Sequence, residues 1–266
     1  MSREAVGLHG RDVGAPRRSD QFVEAFAKGL EVIRAFPPQA SATLAEVAQR
    51  AGIPRATARR MLLTLVELGY ATQEIDRYAL TPRLLDLGFV YLNSIPLYRS
   101  AQDVLEALAA ELNELCSLSI LDGTETVYLV HVQGRDFLGR GMGVGTRLPA
   151  YATSIGRVLL AGLEPNHRER LLKGVKLEKL MPNTVTDRTV LARAIDAAGK
   201  DGYSLVMEEL SPGVIGMSVP VRDRRGKVVA AAGVSFNPAR FKKRAALEQI
   251  LPRLKEAAEK IRLNLP

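Results

Sequence analysis

The stretch Leu44-Ala-Glu-Val-Ala-Gln-Arg-Ala-Gly-Ile-Pro-Arg-Ala-Thr-Ala-Arg-Arg-Met-Leu-Leu63 decides the fold of the first part of the chain. It reads as two helices around a sharp corner. Val47, Ala51, Ile53, Ala58 and Met61 fall on the inner side, and Ala48 is small enough for the helices to cross closely. Gly52 stands where the chain leaves the first helix, a position that often needs φ > 0 and that glycine adopts without a Cβ clash. Pro54 opens the second helix, where a missing N–H costs nothing. Arg55, Thr57, Arg59 and Arg60 mark the outer face of that helix, and no acid occurs between Pro54 and Val66. Spacing, corner chemistry and charge together describe a helix-turn-helix whose second helix enters the major groove of DNA. A plain αα-hairpin with a solvated arginine face is the alternative at this point.

Working outward, Phe22, Phe26, Leu30 and Ile33 recur at helical spacing and predict a core-facing stripe on a first helix over 22–36, stopped by Pro37-Pro38. Thr43 and Glu46 have capping-box spacing. After Gly69, the run Tyr70–Leu80 predicts a β-hairpin, the wing of a winged helix, with Arg77 placed to meet a phosphate. The hairpin weighs against the bare αα-hairpin. Residues 1–20 hold Gly7, Gly10, Gly14 and Pro16 and end in Arg17-Arg18. They read as a flexible arm, either reaching into a minor groove or without a role.

Leu84, Leu85, Leu87, Phe89 and Val90 predict an apolar connecting helix from Pro82 to about Asn93 that also serves self-association. A further helix over 97–115 places Val104, Leu105, Leu108, Leu112 and Leu115 on one side. The texture then changes. Strands are predicted at 117–122, 126–132, near Met142, and at 203–208, 214–221 and 228–236. Helices are predicted at 154–163, 167–172 and 189–200, the last capped by Thr186 or Asp187. A long final helix over 239–263 is kinked or divided by Pro252. The fold class is α+β.

Bulk properties set the bounds. The chain has 266 residues and a formal net charge of +8, with 47% hydrophobic and 25% charged residues, so two soluble domains are expected. The charge excess does not itself argue for DNA. Residues 1–94 carry 12 Lys/Arg against 10 Asp/Glu, whereas residues 238–266 carry 8 against 3. Cys116 is the single cysteine, and with His9, His131 and His167 it gives no metal-ligand spacing. Neither a signal peptide nor a membrane span is recognisable, which points to the cytoplasm.

The winged helix, the connecting helix and two blocks of the second half resemble the IclR family of bacterial transcriptional regulators. The blocks are Gly143-Val-Gly-Thr-Arg-Leu-Pro-Ala-Tyr-Ala-Thr-Ser-Ile-Gly-Arg-Val-Leu-Leu-Ala161 and Gly202-Tyr-Ser-Leu-Val-Met-Glu-Glu-Leu-Ser-Pro-Gly-Val-Ile-Gly-Met-Ser-Val-Pro-Val221. The first is most similar to the branch that responds to protocatechuate, 4-hydroxybenzoate and related aromatic acids. The resemblance implies an arm over 1–20, a winged helix-turn-helix over 21–81, a linker helix over 82–96 and a GAF-like effector domain over 97–266. It also implies an effector pocket at Arg147, Leu148, Tyr151, Ala152, Thr153, Ser154, Val206, Gly216, Ser218, Gly233 and Ser235. Thr153 and Ser154 precede a helix and either bind a carboxylate or simply cap it. Arg147 either pairs with that carboxylate or lies on the surface. Relatives that bind 2-oxo acids tend to carry an acid, a Cys and two Ser where this chain has Val206, Gly216, Gly233 and Ser235, so a less polar, roomier pocket is expected.

The expected partners are double-stranded operator DNA, contacted by Arg17, Arg18, Thr43, Arg55, Thr57, Ala58, Arg59, Arg60 and Arg77, and a second copy of the chain. The family pattern implies a dimer of dimers. No cofactor is expected. An enzyme is disfavoured: Ala152-Thr-Ser-Ile-Gly156 lacks the first glycine of a nucleophile elbow. Gly139–Gly145 lacks dinucleotide-loop spacing, and Glu208-Glu209 would face opposite sides of a strand. A regulator responding to β-ketoadipate, and a ligand-binding protein or hydrolase without DNA binding, remain as alternatives.

Overall fold

The computed structural model describes residues 19–37, 41–134 and 142–265. The arm with Arg17 and Arg18, Pro38, and Gly139–Gly141 therefore lie outside the described residues. The chain divides into two compact units, Met1–Tyr91 and Leu92–Pro266.

In the first unit, α1 (Glu24–Arg34), α2 (Leu44–Ala51) and α3 (Arg55–Glu67) pack on an antiparallel sheet of order β1-β3-β2, with strands Ser41–Thr43, Arg77–Leu80 and Ala71–Glu74. Gly52 ends α2 at φ +64, and the corner delivers Pro54 as the residue just before α3. Val32, Ala42, Val47, Leu62 and Tyr78 form the core with Leu65 and Ala71. Strand β1 was not legible in the sequence, because three residues are too few for an alternating pattern.

The expected stripe on α1 is corrected. Phe22, Phe26 and Leu30 are 44%, 69% and 46% exposed, while Val32 and Ala35 are buried and Ile33 is partly so. Periodicity identifies an apolar face but not the partner that covers it. The same holds for α4 (Leu84–Ser94), which buries none of its residues and exposes Leu85, Leu87, Phe89, Val90 and Tyr91.

The second unit is built on a six-stranded antiparallel sheet of order β6-β5-β4-β9-β8-β7. The strands are β4 Leu115–Asp122, β5 Glu125–Val132, β6 Arg147–Pro149, β7 Ser204–Met207, β8 Ile215–Arg222 and β9 Val228–Phe236. The helices are α5 (Pro96–Leu112), α6 (Ser154–Ala161), α7 (Pro165–Lys173), α8 (Arg188–Asp201) and α9 (Lys243–Leu263). One sheet face packs on α5 and α9 through Leu105, Leu118, Met217, Phe236, Ile250 and Leu254. The other carries α6.

Four expectations change here. Helix α5 ends at Asn113 in the left-handed region, so Leu115 belongs to β4 rather than to the helical stripe. The edge strand near Met142 is Arg147–Pro149, and Gly145 turns at φ +84 ahead of it. Strand β7 stops at Met207, short of Glu208. Pro252 does not divide α9, which runs unbroken with Ala246, Ile250, Leu254 and Ile261 buried on one side.

Candidate DNA interface and effector cavity

The exposed face of α3 carries Arg55, Arg59 and Arg60, and Thr57 is half-buried beside them. None of the three guanidinium groups makes a hydrogen bond or ion pair among the described residues, in contrast to Arg50, whose Nε donates to the Ala35 carbonyl at 2.7 Å. Unpartnered arginines on one exposed helix face are free to donate to phosphates and base edges.

One proposed contact needs correction, and two others also hold the fold together. Ala58 is fully buried in the helix-helix contact, so it packs the motif and does not reach DNA. Arg77 donates to the Ser41 hydroxyl and carbonyl at 3.1 and 3.0 Å, which fastens β3 to β1. The Thr43 hydroxyl accepts from the Glu46 N–H while the Glu46 carboxylate accepts from the Thr43 N–H at 2.7 Å. Those Thr43 bonds hold the Glu46 carboxyl below its ordinary pKa, with Arg77 adding a smaller effect.

A cavity of about 250 Å³ lies in the second unit between the first turn of α6 and the sheet. Leu148, Ala152, Thr153, Ser154, Val206, Gly216, Ser218, Gly233 and Ser235 line it, as the sequence suggested. The strand register explains why these distant positions meet. Val206 pairs with Gly216, Gly216 with Ser235, and Ser218 with Gly233, so these positions share one sheet face. The Thr153 hydroxyl caps α6 by accepting from the Gly156 N–H at 3.0 Å. The Ser154 and Ser218 hydroxyls share a buried hydrogen bond of 2.7 Å.

Arg147 and Tyr151 do not line this cavity. Arg147 neighbours Leu148 on a strand and therefore faces the other way, where it binds Glu125 at 2.8 Å and Asp122 at 2.5 Å. Tyr151 turns into a separate apolar cluster and donates its hydroxyl to the Glu178 carbonyl. Gly216 and Gly233 line the cavity and also set how closely α6 approaches the sheet. A Cβ on Gly216 would stand 2.7 Å from Ser154 Oγ, and one on Gly233 would stand 2.8 Å from Ile155 Cδ1. Their missing side chains let α6 approach the sheet rather than simply enlarging the pocket.

Sequence reasoning missed Thr126, Tyr128, Ile155, Leu210, Val214 and above all Glu209 on the cavity wall. Burial pushes the Tyr128 hydroxyl up to about 12. Glu209 belongs to a buried ion pair in which Arg157 Nη2 donates to Glu209 Oε2 at 2.6 Å while Arg157 Nε donates to the Tyr151 carbonyl at 3.1 Å. A lone cation in the otherwise apolar run Ile155–Ala161 was the available signal, since a buried charge requires a partner. Glu208 and Glu209 do point apart. Glu208 sits at φ +52 and accepts from the Gly213 N–H, so a tight turn rather than strand alternation separates them.

Residues 25–74 match the model of the IclR helix-turn-helix domain, and residues 89–263 match that of the bacterial transcriptional regulator IclR C-terminal domain. The chain belongs to the IclR family. It is 35% identical over 260 residues to the Pca regulon regulatory protein of Pseudomonas putida, covering 97% of this chain and 89% of that protein. It is 34% identical over 251 residues to the p-hydroxybenzoate hydroxylase transcriptional activator of Acinetobacter baylyi, covering 92% and 93%. An IclR homolog from Microbacterium hydrocarbonoxydans, solved in complex with 4-hydroxybenzoate, superposes with a TM-score of 0.79 at 28% identity, covering 91% and 98%. This member of the IclR family is thus a DNA-binding transcription regulator with a separate effector unit, not an enzyme. Among its described residues, no helix is long and apolar enough to cross a membrane.

Proposed function

We propose that this regulator controls aromatic-compound degradation genes in response to a hydroxylated benzoic acid such as 4-hydroxybenzoate or protocatechuate. Residues 21–81 read the operator, 82–96 form the linker helix and 97–266 bind the effector. The observation that carries the reading is the cavity itself: about 250 Å³, with apolar walls and a few polar groups, a size suited to one ring. The functions named for the two curated relatives and the ligand of the Microbacterium homolog support the same class. The free N–H groups of the first turn of α6 and the Ser154 hydroxyl form the carboxylate end of the site.

Arg55, Arg59 and Arg60 contact the operator. Two copies pair through the apolar faces that α1 and α4 leave in solvent and read a pseudo-palindromic sequence. A second pairing between effector units gives a dimer of dimers. The effector acts by binding one arrangement of the assembly more tightly than another.

Fluorescence anisotropy of a labelled fragment of the protein's own promoter region, with and without each acid, tests both halves. Salt-sensitive binding that shifts with 4-hydroxybenzoate or protocatechuate is the expected result, and Arg55→Ala should weaken it by about 1–3 kcal/mol. A response to β-ketoadipate alone would overturn the aromatic reading. Absence of salt-sensitive binding would overturn the assignment of α3.

A further inference from the structure

Glu209 is 6% exposed and lines the effector cavity. Its two carboxylate oxygens have different fates. Oε2 accepts from Arg157 Nη2 at 2.6 Å and from the Val185 N–H at 2.9 Å. The Glu209 carbonyl accepts from the Thr184 hydroxyl at 2.6 Å, so main chain and side chain are both pinned. Oε1 makes no hydrogen bond among the described residues, yet it is not sealed in the interior. It is the unbonded acceptor of a fixed carboxylate whose residue lines the cavity. No Lys, Arg or His side chain shares that wall among the described residues.

We propose that Glu209 Oε1 determines effector specificity by accepting a hydrogen bond from a ring hydroxyl, which selects hydroxylated aromatic acids over the parent benzoate. The inference rests on the aromatic reading above and deepens it. An ionised carboxylate only accepts hydrogen bonds. A ring hydroxyl supplies the missing donor in a charge-assisted bond, whereas a bare C–H edge leaves Oε1 desolvated and unpaired. A ligand carboxylate pointed at Oε1 would meet a like charge. The acid end is thereby directed to another part of the wall, where α6 offers its N-terminal N–H groups. Arg157 holds Glu209 in one orientation before any ligand arrives, so little ordering is needed on binding.

Titration calorimetry on the full chain decides the matter, with benzoate, 4-fluorobenzoate, 3-hydroxybenzoate, 4-hydroxybenzoate and protocatechuate as probes. At least one hydroxylated acid should bind about tenfold or more tightly than benzoate and 4-fluorobenzoate, the factor expected from one hydrogen bond to a charged group. In Glu209→Gln that preference should shrink severalfold. Equal binding of benzoate and every hydroxylated acid would overturn this inference and leave the aromatic reading intact. No binding by any of the five would overturn both. An undiminished preference in a folded Glu209→Gln protein would also overturn the role of Glu209. Should that variant fail to fold, the co-crystal structure of the wild-type protein with the tightest acid decides instead. A ring hydroxyl within hydrogen-bond distance of Oε1 supports the assignment, and one that bonds elsewhere overturns it.

Discussion

Helices α3 and α6 begin alike, each after a sharp turn and each with small residues in its opening turns, but they do opposite things with arginine. On α3, Arg55, Arg59 and Arg60 stand in solvent without partners among the described residues. On α6, every residue from Ser154 to Leu160 is buried, and Arg157 is locked to Glu209. An exposed cation is available to a ligand from outside the molecule. A buried one has already spent its charge inside, and its role is to hold another group in position. The same residue type is therefore left available at the surface in one unit and is framework in the other.

The contrast breaks most visibly at Arg157. Arg157→Ala strands Glu209 without its counter-ion and should cost about 3–5 kcal/mol in chemical denaturation followed by circular dichroism. An alanine at Arg59 should leave the denaturation midpoint nearly unchanged. Replacing the pair together, with Arg157→Met and Glu209→Met, should recover most of the stability but not the preference for hydroxylated acids. Gly156→Ala comes next. Its Cβ would lie 2.1 Å from the Ala150 carbonyl oxygen, so α6 must move. A loss of about 1–3 kcal/mol is expected, together with weaker effector binding by calorimetry.

Thr43→Ala sharpens the comparison from the other side. Loss of the cap on α2 should cost about 0.5–2 kcal/mol and let the Glu46 pKa rise toward its ordinary value, read by an NMR titration of the carboxyl. The smallest effect belongs to His131, whose ring nitrogens are buried without hydrogen bonds among the described residues and whose pKa burial holds below the ordinary value. The unfolded chain then binds the proton more readily. The contribution of His131 to stability is complete above about pH 6.5 and is lost as pH falls through the lower native value. His131→Phe should flatten that acid limb of the stability profile, and an unchanged limb would assign it to another group.

The helix-turn-helix was legible because its evidence is local. Gly52 at the corner, the Thr43–Glu46 capping spacing and the acid-free arginine face all lie within a few residues of one another. The error within that motif came from geometry that spacing does not carry. Ala58 sits among arginines in sequence but on the side of the helix away from solvent, and the bond that ties Arg77 to Ser41, 36 residues distant, had no local signal. In the effector unit the family resemblance named about half of the wall, but Glu209 and Tyr128 had no pattern to mark them, and Arg147 was misplaced by one step of strand alternation.

The order of elements, the capped corner, the charge of α3 and the family could be read from the chain alone, because each depends on neighbours in sequence or on a preserved motif. Tertiary structure decided which apolar faces found a partner, which arginine was free and which was buried, and where a carboxylate oxygen was left open. Those outcomes depend on strand register and on the close approach of α6 to the sheet at Gly216 and Gly233, which bring together residues far apart in sequence. Burial and pairing are properties of that assembled neighbourhood, and they set whether a charge is available for recognition.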